Sequence, residues 1–209
     1  IAHISYEVFD GSVAISNNAN INISPVNDAP TVSPVSFSML EDGSPITITM
    51  AQLLSGSSDV DTSDVLSARN LSVPVNEGTI VNNNNGTWTF TPALNYNGVA
   101  HISYQVFDGT VAVQNAASVN ITAVNDAPTV SPVSFNMTED GTPIVLTSAQ
   151  LLAGSSDVDI GDILTARNLS VPANEGTVIN NNNGTWTFTP ASNYSGVAHI
   201  SFEVFDGTV

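Results

Sequence analysis

Polar and apolar residues alternate in short stretches along the chain, and turn formers break each stretch after a few residues. Thr87-Trp88-Thr89-Phe90-Thr91 has period two, which places Trp88 and Phe90 on one face of a strand and the threonines on the other. Asn85-Gly86 just before it reads as a type I′ hairpin turn, since both central residues of that turn need positive φ. His101 to Val106 alternates likewise. Leu71 with Val73, Ile80, and Val119 with Ile121 mark further strands, with Gly, Asn and Asp between them. The one helical candidate is a single turn over Met50 to Leu54, capped by Thr49. Trp88, Phe90 and Tyr104 are expected in a core, and His101 on an outward-facing strand position. The pattern predicts an all-β chain of about seven short strands per module, which suits a two-sheet Greek-key sandwich. A jelly roll or small barrel fits the same pattern.

The pattern repeats. Ile4-Ser-Tyr-Glu-Val-Phe-Asp-Gly11 returns at Ile102 and at Ile200, and Asn27 to Val111 lies over Asn125 to Val209 without a gap, 67 of 85 positions being identical. Asn27-Asp28-Ala29-Pro30 and Asn125-Asp126-Ala127-Pro128 read as linkers, because proline removes a donor and holds the residue before it extended. The division expected is therefore residues 1–28 as the tail of one repeat, 29–126 as a complete repeat, and 127–209 as a second repeat lacking its last strand. A module of this size can bury its own core. Residue 1 falls in mid-repeat, so the chain reads as a piece of something longer. Residues 14 to 24 correspond to 112 to 122, the strand that 127–209 lacks, so one chain is expected to be able to donate it to another.

Charge narrows the partners. There are 19 acidic residues against Arg69 and Arg167 alone, a net charge of −17, which argues against nucleic acid and anionic membrane as partners and toward metal cations. The chain has no cysteine and no apolar run long enough to span a bilayer as a helix, so no membrane insertion is expected. The acidic groups gather at turns: Glu41-Asp42-Gly43, Asp59-Val60-Asp61 with Asp64, Asp108-Gly109 and the linker Asp126, copied as Glu139-Asp140, Asp157/Asp159/Asp162 and Asp206. Carboxylates this close repel one another unless neutralised. Calcium takes six to eight hard oxygen ligands, which paired aspartates, asparagine and backbone carbonyls supply. Zinc would want Cys or His clusters. Calcium is the cofactor expected.

Together, the Asn-Asp-Ala-Pro linkers, Glu-Asp-Gly after the first strand, Asp-Val-Asp, and Tyr-x-Val-x-Asp-Gly before the last strand resemble the cadherin-like tandem repeats of giant bacterial surface adhesins, including the extender repeats of RTX-type adhesins. The resemblance runs the length of the chain and implies tandem cadherin-like, or Ig-like, Greek-key β-sandwiches. By the same resemblance, Asn27 and Asp28 stand where the calcium-binding linker of animal cadherins would. Asp59 and Asp61 stand in the place of their Asp-x-Asp, and Asp108 in that of a further ligand, so that the aspartates meet at the N-terminal end of the repeat. Asn125, Asp126, Asp157, Asp159 and Asp206 repeat the set. Glu41, copied as Glu139, resembles the acidic residue closing the first strand, which in cadherins faces the next linker, here Asn125 and Asp126. The chain departs from the pattern at Asn95, where cadherins carry a carboxylate, so three calcium ions per junction are not implied.

Several residues stay open to plainer readings. Asp64, with its copy Asp162, is either a fifth ligand or a solvated turn residue. Asp42 and Glu77 read as solvated, Arg69 as paired with a carboxylate, and Asn82 to Asn85 as a polar hairpin end. The sequence offers no nucleophile with a partner base and no phosphate-binding glycine loop, so no enzyme is expected. The reading is a calcium-rigidified extender of a bacterial cell-surface adhesin, extracellular, partnered by neighbouring repeats of its own long chain and serving adhesion or biofilm formation. The alternative is that the repeats themselves bind a surface glycan or protein. The outward strand positions, mainly Thr, Ser, Asn and Gln, favour the spacer.

Overall fold

The computed structural model describes residues 1–208 and divides into two compact units, Ile1–Ala123 and Val124–Val209. In the first unit a hairpin of β1 (Ala2–Phe9) and β2 (Ala14–Ile21) precedes a seven-stranded body. The body runs β3 (Val35–Leu40), β4 (Ile46–Thr49), β5 (Ser67–Ser72), β6 (Gly78–Asn82), β7 (Thr87–Pro92), β8 (Gly98–Phe107) and β9 (Ala112–Thr122). One sheet has the order β3-β9-β8-β5 and the other β4-β7-β6. Every pairing is antiparallel except β3 with β9, which is parallel with Val35 opposite Ala117. The all-β sandwich expected from the alternation is the fold observed.

The core forms where the inward faces of the two sheets meet. Ile48, Trp88 and Phe90 come from one sheet, and Ala100, Ile102, Tyr104, Val106, Ala117, Val119 and Ile121 from the other. In β8 alternate positions from Ala100 to Val106 are buried, so its period of two converts directly into one wet and one dry face. The Tyr104 hydroxyl is buried with its ring and donates to the Leu53 carbonyl at 2.7 Å while accepting from Asn115 Nδ2 at 2.7 Å. The expected helical turn is α1 (Met50–Leu53), with a full capping box between Thr49 and Gln52.

The second unit repeats this plan with β10 (Ile144–Thr147), α2 (Ser148–Leu151), β11 (Thr165–Ser170), β12 (Gly176–Asn180), β13 (Thr185–Pro190) and β14 (Ser201–Phe205). Residues 133–138, the copy of β3, form no strand. In the first unit β3 pairs with β9 alone, and the described part of the second unit has no equivalent of β9. For the same reason β14 is shorter than β8, whose first residues pair only with β9.

Three local expectations are corrected. The hairpin turn takes positive φ at Asn84 (59°) and Gly86 (81°), not at the adjacent pair Asn85-Gly86 that a type I′ turn requires. The asparagine run stabilises this wider turn: Asn82 Oδ1 accepts from the Asn84 amide, and Asn85 Oδ1 from Thr87. Glu77 is not a solvated residue, because it accepts from the His101 amide at 2.6 Å and lies 3.2 Å from its ring Nδ1. Among the described residues Arg69 meets no carboxylate. Its guanidinium lies 3.7 Å over the Phe107 ring and its Nε donates to Gln105, whereas Arg167 pairs with Glu203 at 3.0 Å because glutamate replaces that glutamine in the second copy.

Candidate metal centre

The acidic loops converge because the incoming chain is tied to one of them. Thr31 and Ser58 exchange backbone hydrogen bonds of 2.8 and 2.9 Å, and Pro30 is buried beside that bridge. This draws Asn27 and Asp28 onto the loop that carries Asp59, Asp61 and Asp64 between α1 and β5. The Asp28 amide donates to Asp61 Oδ2 at 2.8 Å, and the Asp61 amide donates to Asp59 Oδ1 at 2.9 Å. Asn27 Nδ2 donates to Asp108 Oδ2 at 3.1 Å, across from the end of β8. Asp108 is 5% exposed, and its other oxygen accepts from the amides of Thr110 and Val111, both at 2.6 Å. Burial pushes the Asp108 carboxyl up, but the amides of Thr110 and Val111 and the Asn27 side chain outweigh it and hold the group below the ordinary carboxylate value.

Carboxylate oxygens of Asp59, Asp61 and Asp64 lie within 4.8 Å of one another. Asp59 Oδ2 is buried and makes no hydrogen bond. A buried carboxylate oxygen left in this way is expensive unless a cation faces it. In the second unit Asn125 Nδ2 donates to Asp206 Oδ2 at 3.0 Å, the Asp126 amide to Asp159 Oδ2 at 2.7 Å, and the Asp159 amide to Asp157 Oδ1 at 3.0 Å. There the close trio is Asp157, Asp162 and Asp206, again within 4.8 Å, and Asp157 Oδ2 is the buried oxygen without a hydrogen bond. Burial, followed by the charges of Asp159, Asp157 and Asp206, pushes the Asp162 carboxyl above its ordinary value. The donors are all oxygen and carry charge in excess, so they fit calcium and not zinc.

The remaining expected ligands lie elsewhere. Glu41 follows β3, and its amide donates to Thr122 at 3.0 Å. By strand register this is the Gly98–Ile121 end of the β8-β9 ladder, opposite the Phe107–Ala112 end where Asp108 sits. Glu41 is buried and both its carboxylate oxygens lie 3.4 Å from Asn97 Nδ2. Asn97 was not singled out in the sequence; only its place before Gly98 at the start of β8 marks it. Asn95 is exposed, with φ of 54° in the turn after β7. Glu139 is exposed where Glu41 is buried, and Ser195 stands at the position of Asn97.

Sequence comparison matches a family described as a cadherin-like domain to residues 26–122 and again to residues 124–209. No curated protein sequence matches the chain. Among solved structures it is similar to the extracellular cadherin domains 3-6 of protocadherin Gamma B2, at 16% identity and a TM-score of 0.45, over 84% of this chain and 46% of that one. It is also similar to an endo-fucoidan hydrolase from glycoside hydrolase family 107, at 17% identity and a TM-score of 0.37, over 99% of this chain and 32% of that one. A third is the surface layer protein SbsC, domains 1-6, at 14% identity and a TM-score of 0.28, with 26% of that chain covered. These superpositions are loose, and the chain spans less than half of each. Among the described residues no helix is long and apolar enough to cross a membrane.

Proposed function

The chain belongs to the cadherin-like domain family, and on that footing we propose that it consists of non-catalytic, calcium-stabilised extender repeats of a bacterial cell-surface adhesin, stiffening a stalk that serves adhesion and biofilm formation. The observation that supports this most directly is the buried Asp59 Oδ2 without a hydrogen bond, set among carboxylates within 4.8 Å and copied by Asp157 Oδ2. Asn27, Asp28, Asp59, Asp61, Asp64 and Asp108 would hold the ion in the first unit, and Asn125, Asp126, Asp157, Asp159, Asp162 and Asp206 in the second. Bound calcium would supply the positive charge that cancels the repulsion among these groups.

The chain's own residues do the rest. Asn27 and Asp28 belong to the linker, whereas Asp59 to Asp64 and Asp108 belong to the body of the repeat, so ordering the cluster also orders the linker on its own domain. The free energy of ion binding then becomes stability of the linked state. Extracellular calcium modules bind at roughly 10⁻⁴ to 10⁻³ M, so the repeats would be firm outside the cell and looser in a low-calcium cytosol. Partners on this reading are neighbouring repeats of the same chain.

Thermal unfolding in EDTA, then with calcium or magnesium restored, tests the proposal alongside titration calorimetry to count sites. Calcium should raise the midpoint, and in Asp59→Ala/Asp61→Ala the first unit should lose its share of the rise while the second unit keeps its own. An unchanged midpoint with no binding heat would refute the calcium mechanism.

A further inference from the structure

The asparagine run that closes the β6-β7 hairpin lies outside the metal centre, yet it carries a reactive dipeptide in both copies. Asn85 precedes Gly86 and Asn183 precedes Gly184, and all four residues are exposed. An asparagine side chain followed by glycine can cyclise, because the next backbone nitrogen brings no Cβ against the amide carbon it attacks. Elsewhere in the run the following residue is another asparagine. The same dipeptide occurs once more, at Asn97-Gly98.

The fold treats these sites differently. Asn85 Oδ1 accepts from the Thr87 amide at 3.1 Å and from the Thr87 hydroxyl at 2.8 Å. Asn83 Nδ2 donates to that hydroxyl oxygen at 2.9 Å, and a carbonyl oxygen cannot donate, so the hydroxyl proton points at Asn85. The second copy repeats the arrangement: Asn183 Oδ1 accepts from the Thr185 amide at 3.2 Å and its hydroxyl at 2.7 Å, with Asn181 Nδ2 2.9 Å behind the hydroxyl. Two donors on one carbonyl oxygen are already aimed at the place where negative charge develops when a nucleophile adds to that carbonyl. Gly86 is anchored by its carbonyl, which accepts from the Met50 amide at 3.0 Å, and among the described residues its own amide has no acceptor. Asn97 is held the opposite way. Its Nδ2 lies 3.4 Å from both oxygens of the buried Glu41 carboxylate, whose charge opposes a second anion on the same amide.

We propose that Asn85 and Asn183 are sites of spontaneous deamidation, assisted by the donors that Thr87 and Thr185 place on the reacting carbonyl. The Gly86 nitrogen loses its proton to solvent hydroxide and attacks Asn85 Cγ. The Cγ–Nδ2 bond then breaks, the side-chain nitrogen leaves as ammonia, and a cyclic succinimide remains. Water opens the ring at either carbonyl to give an aspartyl or isoaspartyl residue at position 85. One water is consumed and one ammonia released, so no oxidant or reductant is involved. Either product adds a negative charge to the repeat. The isoaspartyl product also adds a carbon to the backbone of a turn that is closed by the Asn83 amide on the Thr87 carbonyl at 3.0 Å, so each repeat ages at one defined place.

Peptide mapping by mass spectrometry, on the chain kept folded with calcium in mildly alkaline buffer and on a parallel sample unfolded in urea, tests this. In the folded chain Asn85 and Asn183 should convert while Asn97 stays intact. In urea all three should convert at comparable rates. Thr87→Val should slow Asn85 about 2–10-fold in the folded chain, the kinetic worth of one neutral hydrogen bond. Asn183 in the same molecule should keep its rate, which separates loss of the hydroxyl from any general loss of structure. Conversion of Asn97 as fast as Asn85 in the folded chain would overturn the proposal. So would an Asn85 that converts only in urea, or a Thr87→Val chain that converts as fast as wild type.

Discussion

Asp59→Asn should change the first unit in opposite directions with and without calcium. The substitution keeps the shape of the side chain and the oxygen that accepts from the Asp61 amide, while the new amide group replaces the orphaned Oδ2. It also removes one charge from a trio whose oxygens lie within 4.8 Å. At that separation one like-charge pair is worth about 1 kcal/mol in the dielectric of water and about 3 kcal/mol at the effective dielectric near a protein surface. The three groups are only half-buried, so solvent screening brings the expected gain in EDTA to about 1–2 kcal/mol. For a repeat of this size each kcal/mol moves the midpoint by about 4–8 °C. High salt should shrink the gain, because it screens the same repulsion.

With calcium the order reverses. At 10 mM and a dissociation constant of about 10⁻⁴ M, one site adds about 2.7 kcal/mol to the wild type, more than the variant gains in EDTA, and the variant forgoes it. Each unit has one buried tryptophan, Trp88 or Trp186, so fluorescence melts in a Trp186→Phe background report the first unit alone. If Asp59→Asn lowers the midpoint equally in EDTA and in calcium, Asp59 is a turn cap and the reasoning fails.

Two further outcomes follow from other contacts. Tyr104→Phe strands the Leu53 carbonyl and leaves Asn115 Nδ2 with the Ser33 carbonyl alone, and should cost about 1–2 kcal/mol in denaturant unfolding of the first unit; a loss under about 0.5 kcal/mol would show that water satisfies the Leu53 carbonyl. In the second unit the Arg167 and Asn168 side chains hold Glu203 below its ordinary 4.5, and the His199 amide is the largest influence holding Glu175 below the same value. A depressed folded value means stability that is complete above 4.5 and lost as pH falls through the lower folded value. Asp162 is raised and has the opposite sign, gaining stability as it protonates, so the test is the difference between wild type and Glu203→Gln in EDTA. The variant should show a flatter acid limb in Trp186 fluorescence, and an identical limb would remove Glu203 from the account.

What the sequence made legible followed the range of each interaction. Strand alternation and the capping box at Thr49 are written within a few residues, so both could be read directly. The wider turn escaped because Asn84 tolerates positive φ as readily as its neighbours, and an asparagine run does not say which residue will take it. Glu77 read as solvated because its partner, His101, is 24 residues away and no local pattern joins them. Arg69 and Arg167 occupy equivalent positions, yet the single exchange of Gln105 for Glu203 gives one of them a carboxylate. Glu139 could not be known as exposed from its own neighbourhood, since the groups beside the buried Glu41, Asn97 and Thr122, lie far along the chain. The acidic groups were visible as clusters, but their grouping rested on resemblance, because nothing local says that Asp108 lies beside Asn27.

Asx turns and metal ligands are often treated as competing explanations for an aspartate at a bend, but the bonding here divides the oxygens between the two tasks. One oxygen of Asp59 holds the loop by accepting from the Asp61 amide, and the other is left buried without a hydrogen bond. Asp157 divides its oxygens the same way. The hydrogen bonds linking Asn27 to Asp108, Asp28 to Asp61, and Asp61 to Asp59 all recur in the second copy. The closest carboxylate trio changes, however, from Asp59, Asp61 and Asp64 to Asp157, Asp162 and Asp206. The shared hydrogen bonds therefore fix the scaffold, while the carboxylates that come together on it differ between the two copies. That combination suits calcium, which accepts variable coordination number and geometry where magnesium demands a near-ideal octahedron.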